Sequence, residues 1–218
     1  MERQKDEKTL SELPSQIVTM MTTEHYNLQS GRSMTVADTN GRCTLFIGTV
    51  SSALIAIAFA GQASQMGTAF FVFSLVLFPS LLFMGLFTFE RVLQSGIEDL
   101  IYARGITRIR QLYLEHAPQL QPYFILAAHD PSGQPLLDEG INPFWWQVFL
   151  TAAGMIAFIN SMLVGVFAAL LLAVLTFPLL VCTSAGVVAF LVSFGILQRY
   201  QWLHWRRLEQ KLQTLFPA

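Results

Sequence analysis

The chain has 218 residues, of which 53% are apolar and only 12% charged, with eighteen Phe and a net charge of −1. A soluble domain carries about twice that share of charge, so an ordinary water-soluble globule is excluded. All twenty-seven charges fall in three blocks, Glu2–Arg42, Glu90–Glu139 and Arg199–Lys211, which leave charge-free stretches of 47 residues (Cys43–Phe89) and 59 residues (Gly140–Gln198).

The N-terminal block, 1–42, shows Leu10, Leu13, Ile17, Met21 and Leu28 at roughly helical spacing. The pattern predicts an amphipathic helix from Ser15 to about Asn40, with Pro14 near its start. "MERQKDEKTL" has charges but no apolar core, so no cleavable signal peptide is expected. The block ends on Asp38 and Arg42, four residues apart at the edge of the first charge-free stretch. Such an exposed pair adds little stability. It reads either as a headgroup anchor built on Arg42 or as part of a ring at a pore mouth or interface, formed with Asn40.

A membrane-spanning helix needs about 20 apolar residues, so each charge-free stretch predicts two spans. Segment 43–89 breaks at "GQASQMG", giving spans near Cys43–Ala60 and Thr68–Phe89. Segment 148–198 breaks at "LTFP", with Pro178 opening the later span, giving Val148–Val174 and Pro178–Gln198. Between them, segment 90–147 predicts a cytoplasmic helix to Ala117, stopped by Pro118 and Pro122, and a turn at Asp130–Gly133. Segment 199–218 continues the fourth span as a helix. Trp202 and Trp205 are placed as interfacial anchors, as are Trp145 and Trp146 ahead of the third span. Trp205, Leu208, Leu212 and Leu215 make a short coiled-coil-like seam.

The expected architecture is an all-α integral membrane protein of four transmembrane helices in two hairpins, with amphipathic cytoplasmic helices. All thirteen Lys and Arg lie on one side of this arrangement. The bias of basic residues toward the cytoplasm therefore places both termini inside, in the cell inner membrane. Cys43 and Cys182 are expected as unpaired small residues.

Within the spans, small residues recur every fourth position: Gly48, Ser52, Ala56 and Ala60; Ala153, Ala157, Ser161, Gly165, Ala169 and Ala173; Ala185, Ala189 and Ser193. Small residues let membrane helices approach closely. Spans one, three and four are therefore expected to pack together, within or between subunits. Span two is Phe-rich, with Phe70, Phe71, Phe73, Phe78, Phe83 and Phe87, and is expected to face lipid or a neighbour. Asn160, next to Ser161, is the notable polar residue and is expected as packing glue, an interface contact or a pore lining. No span holds an ionisable group, which argues against a proton-coupled or ion-coupled transporter.

Catalytic chemistry is not expected. The four His are scattered singly, and no metal-ligand spacing, phosphate-binding glycine loop or cofactor motif is present. No cofactor, metal or nucleic acid is expected. "ARGITRIR" offers Arg104, Arg108 and Arg110 as contacts for a cytoplasmic protein, a nucleotide or a lipid headgroup.

The segment "ADTNGRCTLFIGTVSSALIAIAF" resembles the membrane entry of SLATT-type and Pycsar-type modules, effectors of bacterial nucleotide-signalled defence. "EHYNLQSGR" and "FERVLQSGIEDLIYARGITRIRQLYLEHAP" are similar to an uncharacterised family of bacterial four-span proteins. The first resemblance reaches Asp38, Gly41 and Arg42, and departs from those modules in having four spans rather than two. It implies a homo-oligomer that opens or perturbs the membrane when a partner or nucleotide triggers it. A non-conducting scaffold that recruits a cytoplasmic partner is the rival expectation.

Overall fold

The computed structural model describes residues 15–124 and 151–215, with side chains to residue 208. Leu10, Leu13, Pro14, the turn at Asp130–Gly133, Trp145, Trp146 and Val148 lie outside the described residues, as do the side chains of Leu212 and Leu215.

Four helices carry the chain: α1 (Ser15–Ala63), α2 (Thr68–His116), α3 (Ala152–Val174) and α4 (Leu179–Leu215), with a 3-10 turn at Pro118–Tyr123 after α2. Among the described residues there is no strand. Each helix contains a segment long and apolar enough to cross a membrane. Charged segment and span are helical without a break in α1 and α2, through Gly41 in the first and Gly96 in the second.

The turns fall where the sequence breaks. Gln65 and Met66 adopt positive φ (50° and 59°) between α1 and α2, and the Met66 and Gly67 N–H groups donate to the Gly61 and Ser64 carbonyls. Gly67 is required there, since a Cβ would sit 2.8 Å from the Ser64 oxygen. Thr176 (φ 62°) turns α3 into α4. Pro178 accepts from the Val181 and Cys182 N–H groups and so opens α4 from just outside it. Thr151 caps α3, its hydroxyl accepting from the Gly154 N–H at 3.0 Å.

The chain forms two compact units, the first from residues 1–37, 96–143 and 209–218, the second from 38–95 and 144–208. In the first, residues 15–37 of α1 pair with the end of α2. Gly31 admits the Tyr102 ring, Gly105 admits Leu28, and Ile106 and Ile109 are buried. Arg32 grips Asp99 with two hydrogen bonds, Nε to Oδ1 at 2.8 Å and Nη2 to Oδ2 at 3.4 Å.

The second unit holds the four spans. Its core is Phe46, Val50 and Ala53 of α1, Phe78, Leu81 and Phe89 of α2, and Ala153, Ile156, Ala157 and Leu163 of α3. Two antiparallel contacts set the register of α2 on α3: Gly85 against Asn160, and the Phe78 ring 6.4 Å from that of Phe167. Gly165 and Gly186 bring α3 and α4 together backbone to backbone, beside a cluster of Phe158, Phe190 and Phe194.

This packing differs from the expectation in one respect. Within the chain, the small residues Gly48, Ser52 and Ala56 of α1 lie on its exposed side, and nothing lies within 4 Å of a Cβ built on Gly48. The packed side of α1 carries Cys43, Phe46, Val50 and Ala53 instead. The Phe-rich span is exposed at Phe73, Phe83 and Phe87 and buried at Phe70 and Phe78, and Gly85 lets α3 press onto its inner side; α4 is the least covered of the four spans.

Candidate functional site, an ionic belt beside the spans

The second unit contains a run of polar side chains at one end of its spans. It begins on α1, where helical spacing puts Asp38 and Arg42 on adjacent turns. Arg42 Nε donates to Asp38 Oδ2 at 2.8 Å, and Arg91 of α2 brings Nη2 to 4.0 Å from the same oxygen. Arg91 Nη1 donates to Gln94 Oε1 at 3.0 Å, and Gln94 Nε2 donates to Glu90 Oε1 at 3.0 Å. The hydroxyl of Tyr200, on α4, closes the run by donating to Glu90 Oε2 at 3.0 Å. Six side chains thus link three helices at the brink of the charge-free segments.

Electrostatics favour the ionised belt. The hydrogen bond from Arg42 holds the Asp38 carboxyl below the usual carboxylate range, helped by the fields of Arg42 and Arg91 and opposed by partial desolvation. The same bond raises the Arg42 guanidinium further. Asp38 is therefore a partner of α2 as well as of Arg42, while Asn40 is exposed and takes no part in the described belt. The run joins charged, amide and hydroxyl groups from three helices, an arrangement that clamps them together.

The other predicted residues separate. Asn160 and Ser161 are buried inside the chain, at 1% and 0% exposure. The Ser161 hydroxyl donates to its own helix at the Ala157 carbonyl (2.7 Å). The Asn160 amide lies against Gly85 with neither its oxygen nor its nitrogen hydrogen-bonded. Both are enclosed within the chain, Asn160 against Gly85 of α2. Ala157 and Gly165 are buried in helix contacts, and Ala169 is half-buried, touching the Cβ position of Gly186 at 3.1 Å. Arg104 and Arg110 are half-buried and Arg108 is exposed, and all three are engaged in the chain. Arg110 is turned away from Arg104 by helical geometry, since six residues leave them about 120° apart.

Sequence reasoning missed Arg91, Gln94, Glu90 and Tyr200 as partners of the Asp38–Arg42 pair. The available signal was positional: each begins or follows a charge-free stretch and so falls at the same level as Arg42. It also missed the Gln201–Thr151 bond (2.8 Å), which ties α4 to the cap of α3, and the facing pair of Gly165 and Gly186.

The helices and the belt define an all-α, multi-pass membrane protein in contact with the lipid bilayer. No family model matches the chain, and no curated protein or solved structure is similar to it.

Proposed function

We propose that the protein is a non-conducting membrane scaffold of a bacterial inner membrane, with both termini in the cytoplasm. The charged helical pair of residues 15–37 and 96–116 receives a cytoplasmic protein partner. The spans hold that pair at the membrane and the ionic belt fixes where they begin.

One observation carries this reading. The outward surface of the described spans is mostly apolar, and most of its hydroxyls are occupied by their own helices. The hydroxyls of Thr49, Ser52, Ser80 and Thr183 donate to carbonyls one turn back on their own helices. Leu45, Phe59, Phe83, Val76, Leu180 and Val188 occupy the exposed surface around them. Conduction needs a lining of carbonyls, charges or polar side chains, and an apolar constriction dewets. Asn160, the one strongly polar residue deep in the spans, is enclosed.

A second reading keeps the triggered, oligomeric pore of bacterial anti-phage defence. It is favoured by the open face at Gly48, Ser52 and Ala56, where a second copy has room to approach.

Reconstitution of the full chain in liposomes separates the two. The scaffold reading expects no potassium, sodium or chloride flux above protein-free vesicles at any protein density. Discrete currents that disappear with Gly48→Leu or Ser52→Leu would replace it with the pore.

A further inference from the structure

Span four is the least covered of the four, and its outer face has a pattern that continues past the apolar segment. Val188, Val192, Gly195, Arg199, Trp202 and Arg206 recur at alternating steps of four and three, so they share one side of α4, and apart from glycine each is a side chain exposed to the surroundings. Nothing lies within 4 Å of a Cβ built on Gly195, which leaves a notch one turn before Arg199. Arg199 is the first charge after the 59-residue charge-free stretch, and so stands at the boundary between acyl chains and headgroups.

Two features make this face specific. The Arg206 guanidinium lies 3.6 Å from the centre of the Trp202 ring. Stacking fixes the guanidinium plane while leaving its N–H edge free to donate. Up to Leu208, where the described side chains end, α4 carries three Arg and no acidic residue, Glu209 being the first, and neither Arg199 nor Arg206 makes an ion pair among the described residues. The nearest carboxylate of the belt, Glu90, meets α4 through Tyr200, which helical geometry turns about 100° from Arg199.

We propose that this face is a binding site for an anionic phospholipid. Arg199 and Arg206 hold the phosphodiester by charge-assisted hydrogen bonds, Trp202 packs at the glycerol level, and an acyl chain lies over Val188, Val192 and the Gly195 notch. A zwitterionic lipid also offers a phosphate, but its ammonium would be placed beside two arginines, on a helix end with four basic residues and one acidic one. Anionic headgroups of the cytoplasmic leaflet fit the site.

The test is native mass spectrometry of the delipidated full chain in mild detergent, titrated with phosphatidylglycerol or phosphatidylcholine. Phosphatidylglycerol is expected to bind at lower concentration, with the preference falling about fivefold for each of Arg199→Gln and Arg206→Gln. The double variant is expected to bind both lipids equally. Trp202→Leu weakens binding in part, and Arg207→Gln, one position round the helix, leaves it unchanged. Because the altered side chains are exposed, helicity and melting in detergent should match the parent. Equal affinity of the parent for both lipids would overturn the proposal. So would a loss with Arg207→Gln as large as with Arg206→Gln, which would mean diffuse attraction to the basic tail.

Discussion

Asn160 lies directly over Gly85: the amide of α3 occupies the space that any side chain at residue 85 of α2 would need. Gly85→Ala is therefore expected to destabilise the spans by about 1–3 kcal/mol, the usual cost of overpacking a tight interior. Combining it with Asn160→Ala removes the overlap and should recover most of the loss. Thermal or SDS-driven unfolding in mild detergent, followed by helicity, reads both. Failure of the second change to rescue the first would show that the two helices do not meet as described.

The glycines of α3 and α4 predict a contrast. A Cβ on Gly165 would stand 2.7 Å from the Gly186 carbonyl oxygen, and one on Gly186 would stand 2.9 Å from that of Gly165. Backbone cannot move aside as a flexible side chain can. Ala at either position is expected to cost about 1–3 kcal/mol. Gly195→Ala meets open space and should leave stability unchanged or raise it by up to about 1 kcal/mol, from helix propensity. The same unfolding assay ranks the three variants.

In the first unit, Arg32 and Asp99 form a two-pronged pair whose side chains are 34% and 29% exposed. Solvent screens such a pair, so a double-mutant cycle with Arg32→Ala and Asp99→Ala should return a coupling of about 0.2–1 kcal/mol. The reversed pair, Arg32→Asp with Asp99→Arg, should recover part of it. A cycle that returns no coupling would mean that Gly31–Tyr102 and Gly105–Leu28 packing alone sets this register.

Asp38 gives a pH dependence with a definite sign. Its carboxyl is held below the ordinary value of about 3.9, so its contribution is fully present above that value. The contribution is lost as pH falls through the depressed folded value. Melting in detergent should therefore show no pH dependence from Asp38 between pH 8 and 5 and a loss only on stronger acidification. Asp38→Asn should remove that part of the acid loss. A parent and variant with parallel acid profiles would remove Asp38 as a source of stability.

Much of this fold was legible before any coordinates. The two charge-free stretches, the breaks at "GQASQMG" and "LTFP", and the end of α2 at Pro118 are local properties of the chain. The Asp38–Arg42 pair was legible from spacing alone. Its extension to Arg91, Glu90 and Tyr200 was not, because those residues are remote in sequence and meet only when three helices are packed side by side.

What the sequence by itself determined is which segments leave water and where the chain turns. Transfer into lipid depends on the summed apolarity of about 20 residues, and that sum needs no knowledge of neighbours. Which side of each helix meets another was decided only by the tertiary structure. In a bilayer the lipid is as apolar as the helix, so hydrophobic burial does not choose a face, and close fit does. Gly85 found Asn160 and Gly165 found Gly186, while the equally regular stripe of Gly48, Ser52 and Ala56 was left outward. Small residues grant permission to approach, and the complementary surface that uses it lies elsewhere in the chain.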